Sequence, residues 1–298
     1  HYGNLCRIKC AEQSGHCFGA KLWRSSMKTL RLLSLGAGVQ STTLALMIEK
    51  GEIPMVDGAI FADTGAEPKE VYDHLNWLEK QLSYPLHRVQ WRNLKEDVMA
   101  AAVGEYKGFT APFYTLSDTG KKGILMRQCT ADYKIKPVVK KTRELMGYSK
   151  GQRVNLKEWR VENIMGISTD EMQRMKPNRL KYITNIYPLV DKDITRMHCF
   201  EWMKKNNYPE PPRSACTFCP YHSSEEWSKI KRNKEEWDEV VKIDYMIRDT
   251  DKFKDKINMK SKMFLHNSCV PIDQIDFNKD DDQFKFDFMD ECEGMCGN

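Results

Sequence analysis

The first strong apolar run, Leu30-Arg31-Leu32-Leu33-Ser34-Leu35, breaks at Gly36-Ala37-Gly38 and resumes as Val39-Gln40-Ser41-Thr42-Thr43 ahead of Leu44-Ala45-Leu46-Met47-Ile48. A short apolar run, two glycines and then hydroxyl residues before an apolar stretch predict a strand, a tight turn and a helix. Gly51 is placed to end that helix. The alternation recurs downstream. A strand over 56–62 leads into Asp63-Thr64-Gly65-Ala66-Glu67-Pro68, and a helix over 69–82 carries Val71, Leu75, Leu78 and Leu82 on one face. A strand over 86–91 and a helix around 97–103 follow.

Strands that alternate with helices predict an α/β fold, a parallel twisted sheet with helices on both faces of the Rossmann-like kind. Ligands of such sheets bind beyond the carboxyl ends of the strands, and the loops at Gly36 and Asp63 both belong to that end. Residues 104–123 read as a loop, either a plain connection or a segment that covers substrate. Arg127-Gln128-Cys129 leads through Lys134 and Pro137 into a helix that ends near Gly147. A strand over 161–167 delivers Ser168, Thr169, Asp170, Glu171 and Arg174, and an extended run over 182–190 closes the sheet.

Beyond Asp191 the texture becomes helical and cysteine-bearing. A helix over 195–206 is stopped by Pro209-Glu210-Pro211-Pro212, and Cys216-Thr217-Phe218-Cys219 follows. Ser223 and Glu226 make a capping box, and 234–248 is a further helix. The expected organisation is a nucleotide-binding α/β domain over 27–190 and a helical C-terminal region over 191–298. Residues 1–26 hold Cys6, Cys10, Cys17 and His16 without periodicity. They are expected to be a disordered extension, with a small zinc site as the other reading.

Composition narrows the class. The 298 residues carry a net charge of +5, and no apolar run approaches the roughly 20 residues that span a bilayer. The mild charge permits nucleic-acid contact without arguing for it. Ten cysteines with no secretory apolar segment point to thiol chemistry or metal ligation in a reducing, cytoplasmic setting. Cys199 and Cys269 read as small buried residues, and Trp202, Trp227 and Trp237 as core.

The glycine turn itself admits three readings. Gly36-x-Gly38-x-x-Ser41 is one residue from the dinucleotide fingerprint, whose third position is Gly or Ala, and no Lys-Ser/Thr makes it a Walker loop. An ordinary strand-to-helix turn is the plain alternative. Glycines that admit a close ligand, unpaired helix-start N–H groups and three hydroxyls favour a phosphate-binding loop.

Several segments together resemble one family. Gly36-Ala37-Gly38-Val39-Gln40-Ser41 is similar to the Ser-Gly-Gly-x-Asp-Ser loop of the PP-loop nucleotide-binding superfamily. Asp63-Thr64-Gly65 resembles the Asp-Thr-Gly segment of its phosphoadenosine phosphosulfate (PAPS) reductase branch. Cys129-Thr130-Ala131-Asp132-Tyr133-Lys134-Ile135-Lys136-Pro137 is similar to that branch's Cys-Cys-x-x-x-Lys-x-x-Pro stretch, and Cys216-Thr217-Phe218-Cys219 stands where its Cys-x-x-Cys falls. Gly166 to Glu171 with Arg174 resembles its Gly-x-Arg-x-x-x-Ser/Arg loop. Two departures stand out: Gln40 replaces the loop Asp, and Thr130 replaces the second Cys of the pair.

The resemblance implies a site for an adenine nucleotide, either PAPS or its 5′-phosphosulfate relative, or ATP with magnesium. It assigns Ser34, Gly36, Ala37, Gly38, Gln40, Ser41, Thr42, Asp63, Thr64, Gly65 and Asp170 to the nucleotide. Lys134 and Arg174 would be the cations that stabilise developing charge. The plainer readings are a solvated helix face for those two cations and a helix cap for Asp170.

The same resemblance implies a four-iron, four-sulfur cluster held by Cys129, Cys216, Cys219 and a fourth thiolate, for which Cys292 is the first candidate, with Cys296 and Cys199 behind it. Zinc is the competing metal. Glu291-Cys292 is similar to the Glu-Cys-Gly-x-His tail of sulfonucleotide reductases, so Cys292 and Cys296 are alternatively nucleophiles.

The expected function is sulfonucleotide reduction or related sulfur transfer, with a thioredoxin-like thiol reductant as partner. The alternative is an ATP pyrophosphatase that adenylates a nucleic-acid or small acceptor, as in tRNA thiolation or DNA phosphorothioation. A nicotinamide dehydrogenase is disfavoured by Ser41. A metal-stapled nucleic-acid adaptor using Lys229, Lys231, Arg232 and Lys234 is the non-enzymatic alternative.

Overall fold

The structure, a computed structural model, describes residues 27–253, 257 and 259–277. Cys292 and Cys296, proposed above as nucleophiles or ligands, and the cysteines of residues 1–26 lie outside the described residues.

The chain begins strand β1 (Lys28–Leu35), helix α1 (Val39–Glu49), β2 (Gly58–Asp63), α2 (Lys69–Glu79), β3 (Leu86–Gln90) and α3 (Leu94–Ala102). Helix α4 (Lys136–Leu145) leads to β6 (Trp159–Met165) and β7 (Ile183–Ile186), after the short strands β4 (Tyr114–Leu116) and β5 (Lys122–Ile124). Five strands form a parallel sheet in the order β3-β2-β1-β6-β7. The fold class read from the alternation is the one observed: an α/β fold with a five-stranded parallel sheet flanked by helices.

Period-two alternation separates the two faces of this sheet. Leu33, Leu35, Ala59, Phe61 and Ile164 pack against α1, α2 and α6 (Arg196–Lys205). Leu32, Ile60, Ala62, Val161 and Met165 face the other way, against Val138 of α4. Because both faces are covered, the strands read as near-continuous apolar runs, as buried parallel strands do.

Three boundaries differ from the sequence expectation. The run over 182–190 is a strand only to Ile186, because Pro188 opens the short helix α5 (Pro188–Asp191). Residues 104–123 are not a plain loop. Strands β4 and β5 form a hairpin there, and β4 pairs on its other edge with β8 (Lys262–Phe264) in a second, antiparallel sheet. Three-residue strands give too short an alternation to be legible. Helix α3 begins at Leu94, capped by the Asn93 side chain, earlier than the apolar pattern suggests.

A second apolar core lies apart from the sheet. Leu94 and Val98 of α3 meet Trp227 and Ile230 of α7 (Ser224–Arg232), and Val240, Ile243 and Ile247 of α8 (Lys234–Arg248). Tyr133, Phe218 and Met263 join them. The capping box of Ser223 and Glu226 is formed as read. Trp227 is fully buried, whereas Trp202 and Trp237 are half-buried at the edges of the two cores. Cys199 and Cys269 are buried, as expected.

Candidate functional site

The loop between β1 and α1 is strained and internally stapled. Ala37 adopts φ 64°, the left-handed region that a side chain disfavours, and is fully buried. Gly38 is the extended N-cap of α1 and offers no side-chain cap, so the first N–H groups of the helix keep their donor capacity. The Ser41 hydroxyl accepts from the Gly36 N–H at 3.2 Å and donates to the Gly38 carbonyl at 3.3 Å. Ser41 therefore shapes the turn itself. Thr42 Oγ1 lies 3.0 Å from His74 Nε2 of α2, and burial lowers that imidazole to a pKa of about 4, so the ring is neutral.

Gly166, just past β6, packs on this turn. A Cβ there would stand 2.8 Å from both Cα and N of Ser41, which requires glycine for close approach rather than for backbone freedom. The end of β6 is thereby pressed against the first turn of α1.

At the end of β2 the Asp63 carboxylate organises its own loop. Its Oδ1 accepts from the Gly65 N–H at 2.7 Å and from the Tyr72 hydroxyl at 2.9 Å. Burial, then the nearby Asp63 charge, push the Tyr72 phenol well above its ordinary range, so it is a donor. Gly65 sits at φ 70°, with Asn93 and Gln90 side-chain atoms within 3 Å of where a Cβ would be.

Beneath that loop lies a buried polar cluster centred on Glu67. Thr64 Oγ1 donates to Glu67 Oε1 at 3.3 Å, and Ser214 Oγ donates to Oε2 at 3.3 Å. Lys134 Nζ is 3.7 Å from Glu67 Oε1, and both side chains are buried. The solvated-face reading of Lys134 is thus excluded by its burial. Thr64 Oγ1 also stands 3.3 Å from Cys216 Sγ, and the Thr217 N–H donates to the Ala66 carbonyl at 2.8 Å. These contacts join the Asp-Thr-Gly loop to the Cys-x-x-Cys loop. Burial, reinforced by the Glu67 charge and opposed by Lys134, pushes the Cys216 thiol well up, which favours the protonated form.

Lys134 belongs to a π-helical turn, Thr130–Ile135, directly before α4. Such widened turns are frequent at functional sites. It is pinned by its neighbour: the Tyr133 hydroxyl donates to Asp97 Oδ2 at 2.6 Å, and Arg92 clamps the same carboxylate. His222 braces the thiol loop from behind, its Nε2 lying 2.9 Å from the Cys216 carbonyl. Burial, then the Arg213 charge, lower that ring to about 3 and keep it neutral, although Glu226 Oε2 is 3.5 Å from its Nδ1.

The end of β6 contributes a third group. Gln40, fully buried in the first turn of α1, donates through Nε2 to Ser168 Oγ at 3.5 Å. Its Oε1 accepts from Arg196 Nη1 at 3.4 Å. Asp170 acts as a cap, though of α6 rather than of its own turn: its two oxygens accept from the Arg196 N–H at 3.0 and 3.3 Å. Arg174 is buried and donates to Glu171 Oε2 at 2.6 Å, so a carboxylate compensates its charge in place.

The predicted residues therefore sort by tertiary contact. Thr64, Lys134 and Cys216 meet around Glu67, while Gln40, Asp170 and the backbone of Ser41 meet around Arg196 and Gly166. Cys129 is half-buried and packs on the second core, as does Cys216. Cys216 and Cys219 share a tight turn, with the Cys219 N–H on the Cys216 carbonyl at 2.9 Å. Among the described residues, no three His, Cys, Asp or Glu side chains are grouped so as to hold a metal ion. The described donors do not by themselves fit a cluster or a zinc ion. Glu67, Ser214, His74 and Arg196 escape a reading by motif, because an isolated polar residue carries no spacing signal. Glu67 is the one with a local clue, a carboxylate three residues past Thr64.

No family model matches the chain, and no curated protein matches it by sequence. Among solved structures the chain is similar to the phosphate complex of phosphoadenylyl-sulfate (PAPS) reductase from Candida auris, at 13% identity and a TM-score of 0.36. The match covers 61% of this chain and 74% of that one. Likeness at that level does not bear on the substrate or on the site.

Proposed function

We propose that this chain is an enzyme that binds an adenine nucleotide beyond the carboxyl ends of β1, β2 and β6 and uses it in sulfur chemistry. Sulfonucleotide reduction or a related sulfur transfer is the leading reading. The observation that carries it is the junction of the Asp63–Gly65 loop with the thiol loop through Thr64, Glu67 and Cys216. A nucleotide loop and a cysteine loop held in one buried cluster suit chemistry that couples the two.

In this reading the α1 amino end, left without a side-chain cap, takes the phosphate or phosphosulfate group. Lys134 offsets negative charge at the β2 end, and Glu67 holds it there. Cys216, kept as a thiol by burial, is not the attacking group. A reductase would use a tail thiolate, Cys292 or Cys296: it attacks the sulfate sulfur, the nucleotide leaves with the bridging oxygen, and a dithiol partner reduces the resulting S-sulfo-cysteine to release sulfite. A metal at Cys216 and Cys219 would draw further ligands from outside the described residues, as Cys292 would be, and no step here runs through it.

One observation favours the second reading, an ATP pyrophosphatase that adenylates a nucleic-acid or small acceptor. Arg196 adds a cation beside Gln40 at the glycine turn, where a polyphosphate has more charge to match than a phosphosulfate. Binding titrations of the whole chain with ATP, PAPS and NADPH separate these outcomes. Tight PAPS binding supports the reductase, ATP binding with acceptor-dependent pyrophosphate release supports the adenylating enzyme, and binding of NADPH alone overturns both.

A further inference from the structure

We propose that Arg196 is the residue that reads the outer phosphoryl groups of the nucleotide, so that the preferred ligand is an adenosine di- or triphosphate rather than a monophosphate. The inference rests on the adenine-nucleotide reading above and names the determinant of its anion.

The placement follows from how α6 begins. Thr195 caps α6 by accepting from the His198 N–H, and the His198 ring accepts from the Thr195 N–H in return. Asp170 accepts the Arg196 N–H, which ties the start of α6 to the end of β6. From that fixed backbone the Arg196 side chain runs over the Phe200 ring, 5.7 Å from its centroid, and reaches Gln40 in the first turn of α1. The Arg196 residue is half-buried, whereas Gln40 and Ser168 beneath it are fully buried. The guanidinium therefore forms the outer layer of the glycine-turn crevice.

Gln40 decides what that guanidinium can do. A carboxylate at position 40 would form a charge-assisted pair with Arg196 and cancel its charge at the crevice. The amide oxygen of Gln40 orients the guanidinium without neutralising it. The other acids nearby are committed: Asp170 to the α6 backbone, and Glu171 to Arg174. The amino ends of α1 and α6 meet at this point, and their partial positive charges add to that of Arg196. One phosphoryl group at the α1 amino end leaves a second or third within the field of Arg196, and a planar fork of donors matches phosphoryl oxygens in a bidentate way.

The test is isothermal titration of the full chain and of R196M, R196K and Q40E with ATP, AMP and inorganic pyrophosphate, with circular dichroism to verify folding. The expected result is that the wild type prefers ATP to AMP by tenfold or more. R196M and Q40E should lose about tenfold or more in ATP affinity with AMP unchanged, and R196K should lose less. Unchanged ATP affinity in folded R196M and Q40E overturns the assignment. Pyrophosphate binding that depends on Arg196 without any adenosine nucleotide binding upholds it while removing the adenine reading. Binding of none of the three by the wild type removes both.

Discussion

Thr64 Oγ1 and Cys216 Sγ stand 3.3 Å apart across 152 positions of sequence, and the same hydroxyl donates to the buried carboxylate of Glu67. That one hydroxyl ties the loop after β2 to the cysteine loop. The carboxylate behind it satisfies Thr64 and Ser214 and faces the buried Lys134 ammonium. Removing the carboxylate leaves a buried cation unopposed, which is the costly way to break a buried pair.

Glu67→Ala is therefore expected to destabilise the fold by about 3 kcal/mol, and Glu67→Gln, which keeps the hydrogen bonds and drops the charge, by less. Urea midpoints of the two variants check the order. Equal costs would show that the charge of Glu67 is not what Lys134 requires.

Gly166→Ala brings a methyl group within 2.8 Å of backbone atoms of Ser41, which cannot swing aside. The expected cost is about 1–3 kcal/mol, with loss of nucleotide affinity as the glycine turn is displaced. Thermal melting and nucleotide titration of this variant read the two effects separately.

His74 gives a pH dependence of definite sign. Its folded pKa is lowered to about 4 by burial, so between pH 6.5 and 4 the unfolded chain binds the proton and the native fold does not. Stability from this group is intact above pH 6.5 and falls as pH drops towards 4, by about 2 kcal/mol between pH 7 and pH 5. Urea denaturation at the two pH values, in wild type and His74→Gln, measures it: the variant should show the smaller loss.

Asp170→Ala removes the carboxylate that accepts the first N–H of α6. A loss of about 1 kcal/mol is expected from the missing cap. Faster hydrogen exchange confined to the start of α6 would locate the effect, and uniform exchange along α6 would contradict it.

The sequence by itself determined the sheet and the order of its strands' loops. Alternating apolar runs and amphipathic helices, punctuated at Gly36, Gly51 and Pro209, are local signals whose spacing reports the backbone period directly. They place Gly38, Asp63 and Ser168 at one end of the sheet without any tertiary information, because every strand of a parallel sheet points the same way. Local signals also found the Ser223 capping box and α8, since capping is a contact between residues three apart.

Only the tertiary structure decided which polar residues meet. Glu67 faces Lys134 and Ser214, Gln40 faces Arg196, and Asp170 caps a helix 26 residues further on; none of these pairs has a characteristic spacing. The short strands β4, β5 and β8 were hidden for the same reason, since three residues are held by partners from distant segments rather than by their own pattern. Burial, which turned Lys134 and Arg174 from apparent surface cations into paired interior ones, is a property of the packed chain and has no counterpart along the sequence.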